Sequence, residues 1–377
     1  MRIAHVSDCY LPRLGGIETQ VHGLARWQRE AGLDVEVVTA TPRARHDRSA
    51  REVVDGVPVH RATVDLPYEL PVHPRPGREV LRVVRAGGFD VVHVHLGVVA
   101  PFAQGALPAL VRAGVPAVVT VHSLWGPATS LFRVADLVTG WTRWPVAFTA
   151  VSDVAADPVR AVLRGRAQVG VLPNGIDAGS WRPGSPPPPD DGELVLVAAM
   201  RLAPRKRPMP LLEVLRQVRR QVPDRTRLRA VVAGEGPQRP AMERHLRRHG
   251  MDWVELPGRL APDALRDLYG RAHVYIAPAV LESFGIATLE ARTAGLPVVA
   301  RAGTGVVEFV RNGVEGLLAH SDAGLADAVA RLLTDPALRR RISAHNRSVP
   351  PAVTWDEVVA RSVAAYERAL GLVRARA

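Results

Sequence analysis

Three features of the sequence predict an α/β protein built from two doubly wound, parallel-sheet domains. The first forty residues spell strand, loop, helix, strand; apolar runs of strand length then recur at intervals; and a proline-rich break near the middle is followed by a second series of the same kind. Strands alternating with helix-length segments are the pattern of a parallel sheet covered on both faces.

Taken in order, RIAHVSD at residues 2–8 reads as an apolar strand, Leu14 to Gly16 as a glycine-containing loop, and Glu18 to Ala31 as an amphipathic helix closed by Gly32. The strand Val35 to Thr39 follows, after a crossover long enough for parallel pairing. Further strands are predicted at Val91 to His95, Ala117 to Val121 and Ala147 to Val151. Between Leu172 and Leu194 the pattern breaks into PNGID and WRPGSPPPPDDGE, where four prolines at 186–189 favour extended polyproline geometry. The second series runs through strands at 194–200, 228–234, 273–279 and 297–300. From Trp355 to Leu370, Val358, Val359, Val363, Tyr366 and Leu370 recur at helical spacing and predict a docking helix. The expected organisation is a first domain at 1–172, a linker at 173–192, a second domain at 193–354 and a terminal helix at 355–377.

Composition narrows the function classes. A chain of 377 residues with 47% hydrophobic side chains can bury two cores. Its one cysteine, Cys9, excludes an intramolecular disulfide, and its opening runs into a strand and not into a long apolar stretch, so the expected compartment is the cytoplasm. The most apolar region, Val91 to Thr120, is interrupted by His93, His95, Gln104 and Arg112, and no transmembrane span is expected. The net charge of +12 invites a nucleic-acid reading, but it is spread: residues 1–172 carry 19 basic and 15 acidic side chains, residues 173–377 carry 30 and 22. With aromatics at 5% and no zinc-finger, RNP-like or basic-zipper pattern, nucleic acid is not an expected partner.

Four segments of the second half carry chemistry. In MRLAPRKRP, Arg201 and Lys206 (the chain's one lysine) follow a strand, where two cations could clamp a diphosphate or simply form a solvated basic turn. GEGP places Gly234 and Gly236 after the strand at 228–233, where glycine serves a close ligand approach or an ordinary strand-ending turn equally well. In PGRLAPDAL, Arg259 and Leu260 follow Gly258, either at the edge of a base pocket or in a plain loop before a capped helix. ESFGIATLE is the most specific segment. Phe284, Gly285 and Ile286 would open a helix whose free amides suit a phosphate, Glu290 would lie a turn further on, where a carboxylate can accept from ribose hydroxyls, and Glu282 precedes the turn. An acidic helix start is the plainer alternative.

These segments, in this order and spacing, resemble the family 4 glycosyltransferases, retaining enzymes of the GT-B fold, over nearly the whole chain. RLAPRK is similar to the family's diphosphate-binding arginine and lysine, GEGP to its glycine-rich turn, and ESFGIATLE to its two-glutamate signature. VLPNGID at 171–177 resembles the interdomain segment, and the helix from Trp355 the one that returns to the first domain. YLPRLGGIET resembles the family's glycine loop, through Gly15 and Gly16, and VTVHSLWG brings His122 to the family's strand-end histidine near the reacting sugar. The chain departs from many relatives in having Met200 where glycine precedes the arginine, and no family motif falls between Thr41 and Gly77. His5, His93 and His95 are explained by strand alternation, and no carboxylate cluster completes a metal site.

The resemblance implies two Rossmann-like domains facing across a cleft, with a hinge at the linker, and a hexosyltransferase that needs no metal. Its co-substrate would be a nucleotide diphosphate sugar, UDP- or GDP-linked, held by Arg201, Lys206, the 284–286 amides and Glu290; its acceptor would be a hydroxyl of a glycolipid, polysaccharide or small metabolite. His122, Glu282, Arg201 and Lys206 would carry the chemistry, and peripheral contact with the inner face of a membrane is compatible with it. The rival readings are a nucleotide-sugar epimerase of the same fold and a non-catalytic nucleotide-sugar binder.

Overall fold

The computed structural model describes residues 1–13, 15–42, 51–63, 72–182, 184, 186–189 and 192–376, apart from the side chain of Pro127. Leu14 of the predicted glycine loop, much of the motif-free stretch after Thr41, and residues 183, 185, 190 and 191 of the predicted linker lie outside these. The chain forms two compact units, Met1–Gly175 with Trp355–Ala377, and Ile176–Thr354.

The first unit is built on eight strands: β1 (Arg2–Ser7), β2 (Asp34–Thr39), β3 (Arg51–Val54), β4 (Val57–Arg61), β5 (Val91–Leu96), β6 (Ala117–Val121), β7 (Val146–Ala150) and β8 (Val169–Val171). Their order is β3-β4-β2-β1-β5-β6-β7-β8, parallel throughout except for the β3–β4 hairpin. That hairpin turns on Asp55 and Gly56, both at positive φ, the two-residue turn whose twist matches its strands. The helices are α1 (Gly16–Glu30), α2 (Pro76–Gly87), α3 (Pro101–Arg112), α4 (Thr129–Thr139) and α5 (Asp153–Leu163). β5, β6 and β7 are buried at every residue, as strands covered on both faces must be.

The second unit opens with the short α6 (Ala178–Trp181) and holds a six-stranded, wholly parallel sheet: β9 (Leu194–Ala199), β10 (Leu228–Ala233), β11 (Val254–Gly258), β12 (Val274–Ala277), β13 (Val298–Arg301) and β14 (Gly316–Ala319). Between them run α7 (Pro208–Gln221), α8 (Arg239–Arg248), α9 (Pro262–Gly270) and α10 (Ile286–Thr293), and α11 (Asp322–Thr334) and α12 (Pro336–Ser348) follow. The order β11-β10-β9-β12-β13-β14 is doubly wound, so the connections leaving β9 and β12 diverge and open a crevice between their carboxyl ends. Leu196, Leu211, Leu215, Val274 and Val329 are among the fully packed side chains that make this sheet rigid.

The last helix, α13 (Trp355–Arg374), belongs to the first unit, where it buries Trp355, Val358, Val359, Ser362, Ala365, Tyr366 and Ala369. Two glycines admit the Trp355 ring: a Cβ on Gly23 of α1 or on Gly175 would overlap it. Among the described residues no helix is long and apolar enough to cross a membrane.

Candidate active site

The predicted residues of the loops after β9 and β12 flank the crevice of the second unit, where two of them, Lys206 and Glu282, are in contact. The connection after β9 is tied down through its backbone, with Met200 N–H donating to Ala233 O at 3.0 Å and Leu202 N–H to Glu235 O at 2.8 Å. Gly234 and Gly236 make this possible: a Cβ on either would collide with the carbonyls of Met200 and Leu202. The close approach these glycines permit is therefore to the neighbouring loop, which they lock on both sides of Arg201. Arg201 itself is exposed, and its guanidinium has no partner among the described residues.

Lys206 ends a single 3₁₀ turn, Pro204–Lys206, and its ammonium donates to the Glu282 carboxylate. This contact ties the loop after β9 to the loop after β12, across the point where the sheet reverses. An ammonium has three donors, so the pair leaves Lys206 able to meet an anion as well. The next residue, Arg207, supplies an anchor that sequence reasoning missed. It adopts φ 60°, donates from both guanidinium nitrogens to Asp322 at 2.8 Å, and reaches Pro278 O at 3.2 Å. Arg301 donates to the same Asp322 at 2.5 Å, and the Arg207 hydrogen bonds lead in holding its carboxyl below the ordinary range. The triad spans 115 positions of sequence, which is why no local pattern announced it.

The loop after β12 turns at Gly285, whose φ of 95° strongly favours glycine and where a Cβ would press on Val306 Cγ2 at 2.9 Å. Gly285 precedes α10 with no side-chain cap, so amides of the first turn are free for an anion. Phe284 is buried against Phe309, ring centroids 5.3 Å apart, so its side chain anchors the turn and only its backbone is available to a ligand. Gly305 is a second residue with no sequence signal: its N–H donates to Glu282 O at 2.9 Å, and a Cβ there would overlap the Ser283 carbonyl. Ile286 is the first residue of α10 and Glu290 lies one turn on. Burial pushes the Glu290 carboxyl up to about 8, and it has no hydrogen-bond partner among the described residues. A carboxyl raised by burial and unanswered by any protein group is poised to gain from a ligand that donates hydrogen bonds. Arg259 and Leu260 follow β11, exposed and half-buried, beside Gly258 at φ 86°.

In the first unit, Gly15 and Gly16 lie at the exposed start of α1, where Gly15 is extended and its O accepts from Thr19 Oγ1 at 2.9 Å. A Cβ on Gly15 would run into the Glu18 carboxylate. Asp8, just beyond β1, accepts from Phe102 N–H at 2.8 Å and Ala103 N–H at 3.0 Å and so caps α3; burial outweighs those bonds and raises its carboxyl to about 6. His122 follows β6, its N–H donating to Leu96 O at 2.8 Å.

The three histidines explained by strand alternation prove to be joined to His122. His5 on β1 is in register with His93 on β5, and hydrogen bonds run from Gln28 to His5 at 2.8 Å, His5 to His95 at 2.8 Å and His95 to His122 at 3.0 Å. Burial lowers His5 and His122 to about 4 and holds His93 and His95 well below the ordinary imidazole range, so all four rings are neutral near pH 7. His5, His93 and His95 bring ring nitrogens within 4.8 Å of one another, and a carboxylate oxygen of the exposed Glu213 lies equally close to ring nitrogens of the half-buried His245 and the exposed His249. In the first group every ring nitrogen already has a protein hydrogen-bond partner.

Solved structures share this architecture. HepE from Anabaena in complex with UDP and glucose superposes with a TM-score of 0.73, covering 97% of this chain and 99% of that one at 19% identity. Sucrose-phosphate synthase from Thermosynechococcus elongatus gives 0.75 over 98% and 99%, also at 19% identity. The fold is thus GT-B, that of nucleotide-sugar glycosyltransferases. The family models for Glycosyltransferase Family 4 and for Glycosyl transferases group 1 match residues 14–179 and 185–349. Glycogen synthase of Mycobacterium tuberculosis is 31% identical over 400 residues, 97% of this chain and 94% of that protein. D-inositol 3-phosphate glycosyltransferase of Acidothermus cellulolyticus is 30% identical over 98% of this chain and 90% of that protein. The gpi3 subunit of the Schizosaccharomyces pombe phosphatidylinositol N-acetylglucosaminyltransferase is 27% identical over 96% and 79%. The chain belongs to the family 4 glycosyltransferases and transfers a sugar from a nucleotide sugar.

Proposed function

We propose that the chain is a retaining hexosyltransferase that uses a UDP- or GDP-sugar, needs no metal, and glycosylates a hydroxyl of a glycolipid, polysaccharide or small metabolite. The observation that carries this reading is the convergence, at the reversal point between β9 and β12, of Arg201, whose guanidinium has no partner among the described residues, a Lys206 held by Glu282, and the uncapped start of α10 with Glu290 one turn beyond. On this reading Glu290 accepts from the ribose hydroxyls, and Arg201 and Lys206 hold the diphosphate. As the bond from the anomeric carbon to the β-phosphate oxygen breaks, the growing negative charge falls on those two cations and on the amides at 284–286. That charge stabilisation is why no metal is invoked. The acceptor hydroxyl attacks from the leaving-group face and its proton passes to the departing phosphate, which keeps the anomeric configuration.

UDP in the HepE complex supports a uridine donor. The names of the three relatives span a lipid, a polysaccharide and a small phosphate ester as acceptors, which supports a hydroxyl acceptor without choosing among these classes. An apolar cavity of about 190 Å³ in the first unit, lined by Trp125, Phe132, Trp141, Trp144 and Phe148 among others, supports an acceptor with an apolar portion. Beside it α4 buries none of its side chains and exposes Leu131, Val134, Leu137 and Val138, which supports peripheral contact with a membrane surface.

A thermal-shift screen with UDP, GDP, ADP, dTDP and their common sugars tests the donor site. One base series should stabilise the protein, by about 2.7 kcal/mol at a hundred times its Kd, and Glu290→Ala and Lys206→Ala should each lose the effect; no response to any nucleotide refutes the reading. Transfer that persists in chelator and an NMR spectrum showing the donor's anomeric configuration in the product check the remaining two points.

A further inference from the structure

The hydrogen bonds around the buried histidines can be followed proton by proton from two fixed ends. Ser362 Oγ on α13 donates to Val359 O at 2.7 Å, so its one proton is committed and it must accept from Gln28 Nε2 at 2.9 Å. The other end is a different carbonyl. Thr149 Oγ1 donates to Val119 O at 3.2 Å and therefore accepts from Thr120 Oγ1 at 2.6 Å. Thr120 in turn accepts from His93 Nε2 at 2.6 Å. A neutral His93 then accepts at Nδ1 from Tyr366 Oη at 2.9 Å, and Tyr366, its proton committed, accepts from Gln28 Nε2 at 2.7 Å. Both routes orient the Gln28 amide identically, nitrogen toward α13 and oxygen toward His5.

That orientation propagates outward. Gln28 Oε1 can only accept, so His5 carries its proton on Nε2 and donates across 2.8 Å. His5 Nδ1 then accepts from His95 Nε2 at 2.8 Å, and His95 Nδ1 accepts from His122 Nε2 at 3.0 Å. His122 Nδ1 is left with a lone pair and, among the described residues, no partner. We propose that the relay Gln28–His5–His95 fixes His122 in the Nε2–H tautomer, making its Nδ1 an obligate hydrogen-bond acceptor at the end of β6 that recognises a hydroxyl and rejects an anionic oxygen. Gln28, His5 and His95 are positioning residues; His122 is the group that meets the ligand. That the hydroxyl belongs to a sugar rests on the proposed function, whereas the tautomer does not.

Long-range ¹⁵N–¹H correlation spectra of the ¹⁵N-labelled full chain near pH 7.5 read the tautomer directly, with His122 assigned by the signals missing in His122→Asn. The expected wild-type result is a protonated Nε2 and an unprotonated Nδ1 on His5, His93, His95 and His122. Gln28→Met, which can neither accept from His5 nor donate to Ser362 and Tyr366, should introduce an Nδ1–H population at His122 and lower kcat. A wild-type His122 protonated at Nδ1 overturns the relay, as does an unchanged tautomer in Gln28→Met; if that variant does not fold, the wild-type spectrum of the four rings decides alone. The expected tautomers in a protein that binds no nucleotide would uphold the relay and sink the proposed function instead.

Discussion

Glu290 gives a prediction whose sign and size follow from its surroundings. Burial raises its carboxyl to about 8 in the unliganded protein, so about one molecule in ten is ionised there at pH 7 and about one in a hundred at pH 6. On the proposed reading two ribose hydroxyls donate to it and favour the carboxylate, so the bound pKa should fall toward the ordinary value of about 4.3. Binding below pH 8 must then release a proton. The association constant should rise about tenfold from pH 6 to 7, rise less from 7 to 8, and level off above. A nucleotide sugar is the right ligand, because its diphosphate diester does not titrate in this range. Calorimetry at pH 6.5 in buffers of different ionisation enthalpy should count close to one proton released per site. Glu290→Gln keeps an acceptor oxygen but cannot ionise, so it should bind more weakly at pH 8 and show no pH slope. Stability provides a second check, with its own sign. A carboxyl raised in the folded state contributes stability at low pH that is lost as pH rises through 8, so Glu290→Gln should melt above the unliganded wild type at pH 8, with the gap closing toward pH 4. Absence of proton release, or a pH slope that survives in Glu290→Gln, would refute the placement of the ribose on this carboxyl.

Other outcomes are equally definite. Glu315 is buried; burial raises its carboxyl, but hydrogen bonds from the Arg311 side chain and backbone and the charge of Arg292 outweigh that and bring it to about 2. The stability this supplies is present above pH 4.5 and lost as pH falls toward 2, about 3 kcal/mol in all; acid unfolding of Glu315→Gln should lack that step. Gly305→Ala must move the Ser283 carbonyl, at a cost of about 1–3 kcal/mol, and should weaken nucleotide binding at least tenfold while the far-ultraviolet circular dichroism is unchanged. Leu137→Asp with Val138→Asp on α4, both 85% exposed, should leave the melting temperature unchanged but abolish cosedimentation with anionic vesicles; equal cosedimentation of variant and wild type would remove the membrane from the proposal.

Strand positions were legible because a strand buried on both faces must be apolar along its length: β5, β6 and β9 fall within a residue of their expected bounds. The β3–β4 hairpin also had a signal, the Asp55-Gly56 turn between alternating valines, hidden by the arginine-rich stretch around it. Of the site, sequence marked what sits at strand ends on short motifs: Arg201 and Lys206 beyond β9, the Gly285 turn and Glu290 beyond β12, His122 beyond β6.

What a residue touches across the sheet was not legible. Gly234 and Gly236 were open to a ligand on sequence alone, and only folding shows them filled by the carbonyls of Met200 and Leu202. The Arg207–Asp322–Arg301 anchor and the Gly305 buttress depend on where the β9, β12 and β13 connections converge, which strand order decides. The tautomer of His122 depends on Tyr366 and Ser362, which meet His93 and Gln28 across 273 and 334 positions. Periodicity and motif fix which residues stand at the carboxyl edge of each sheet, since these are properties of short stretches of chain. Hydrogen-bond direction and the pKa of a buried carboxyl are set by burial and by partners that only the closed tertiary structure supplies.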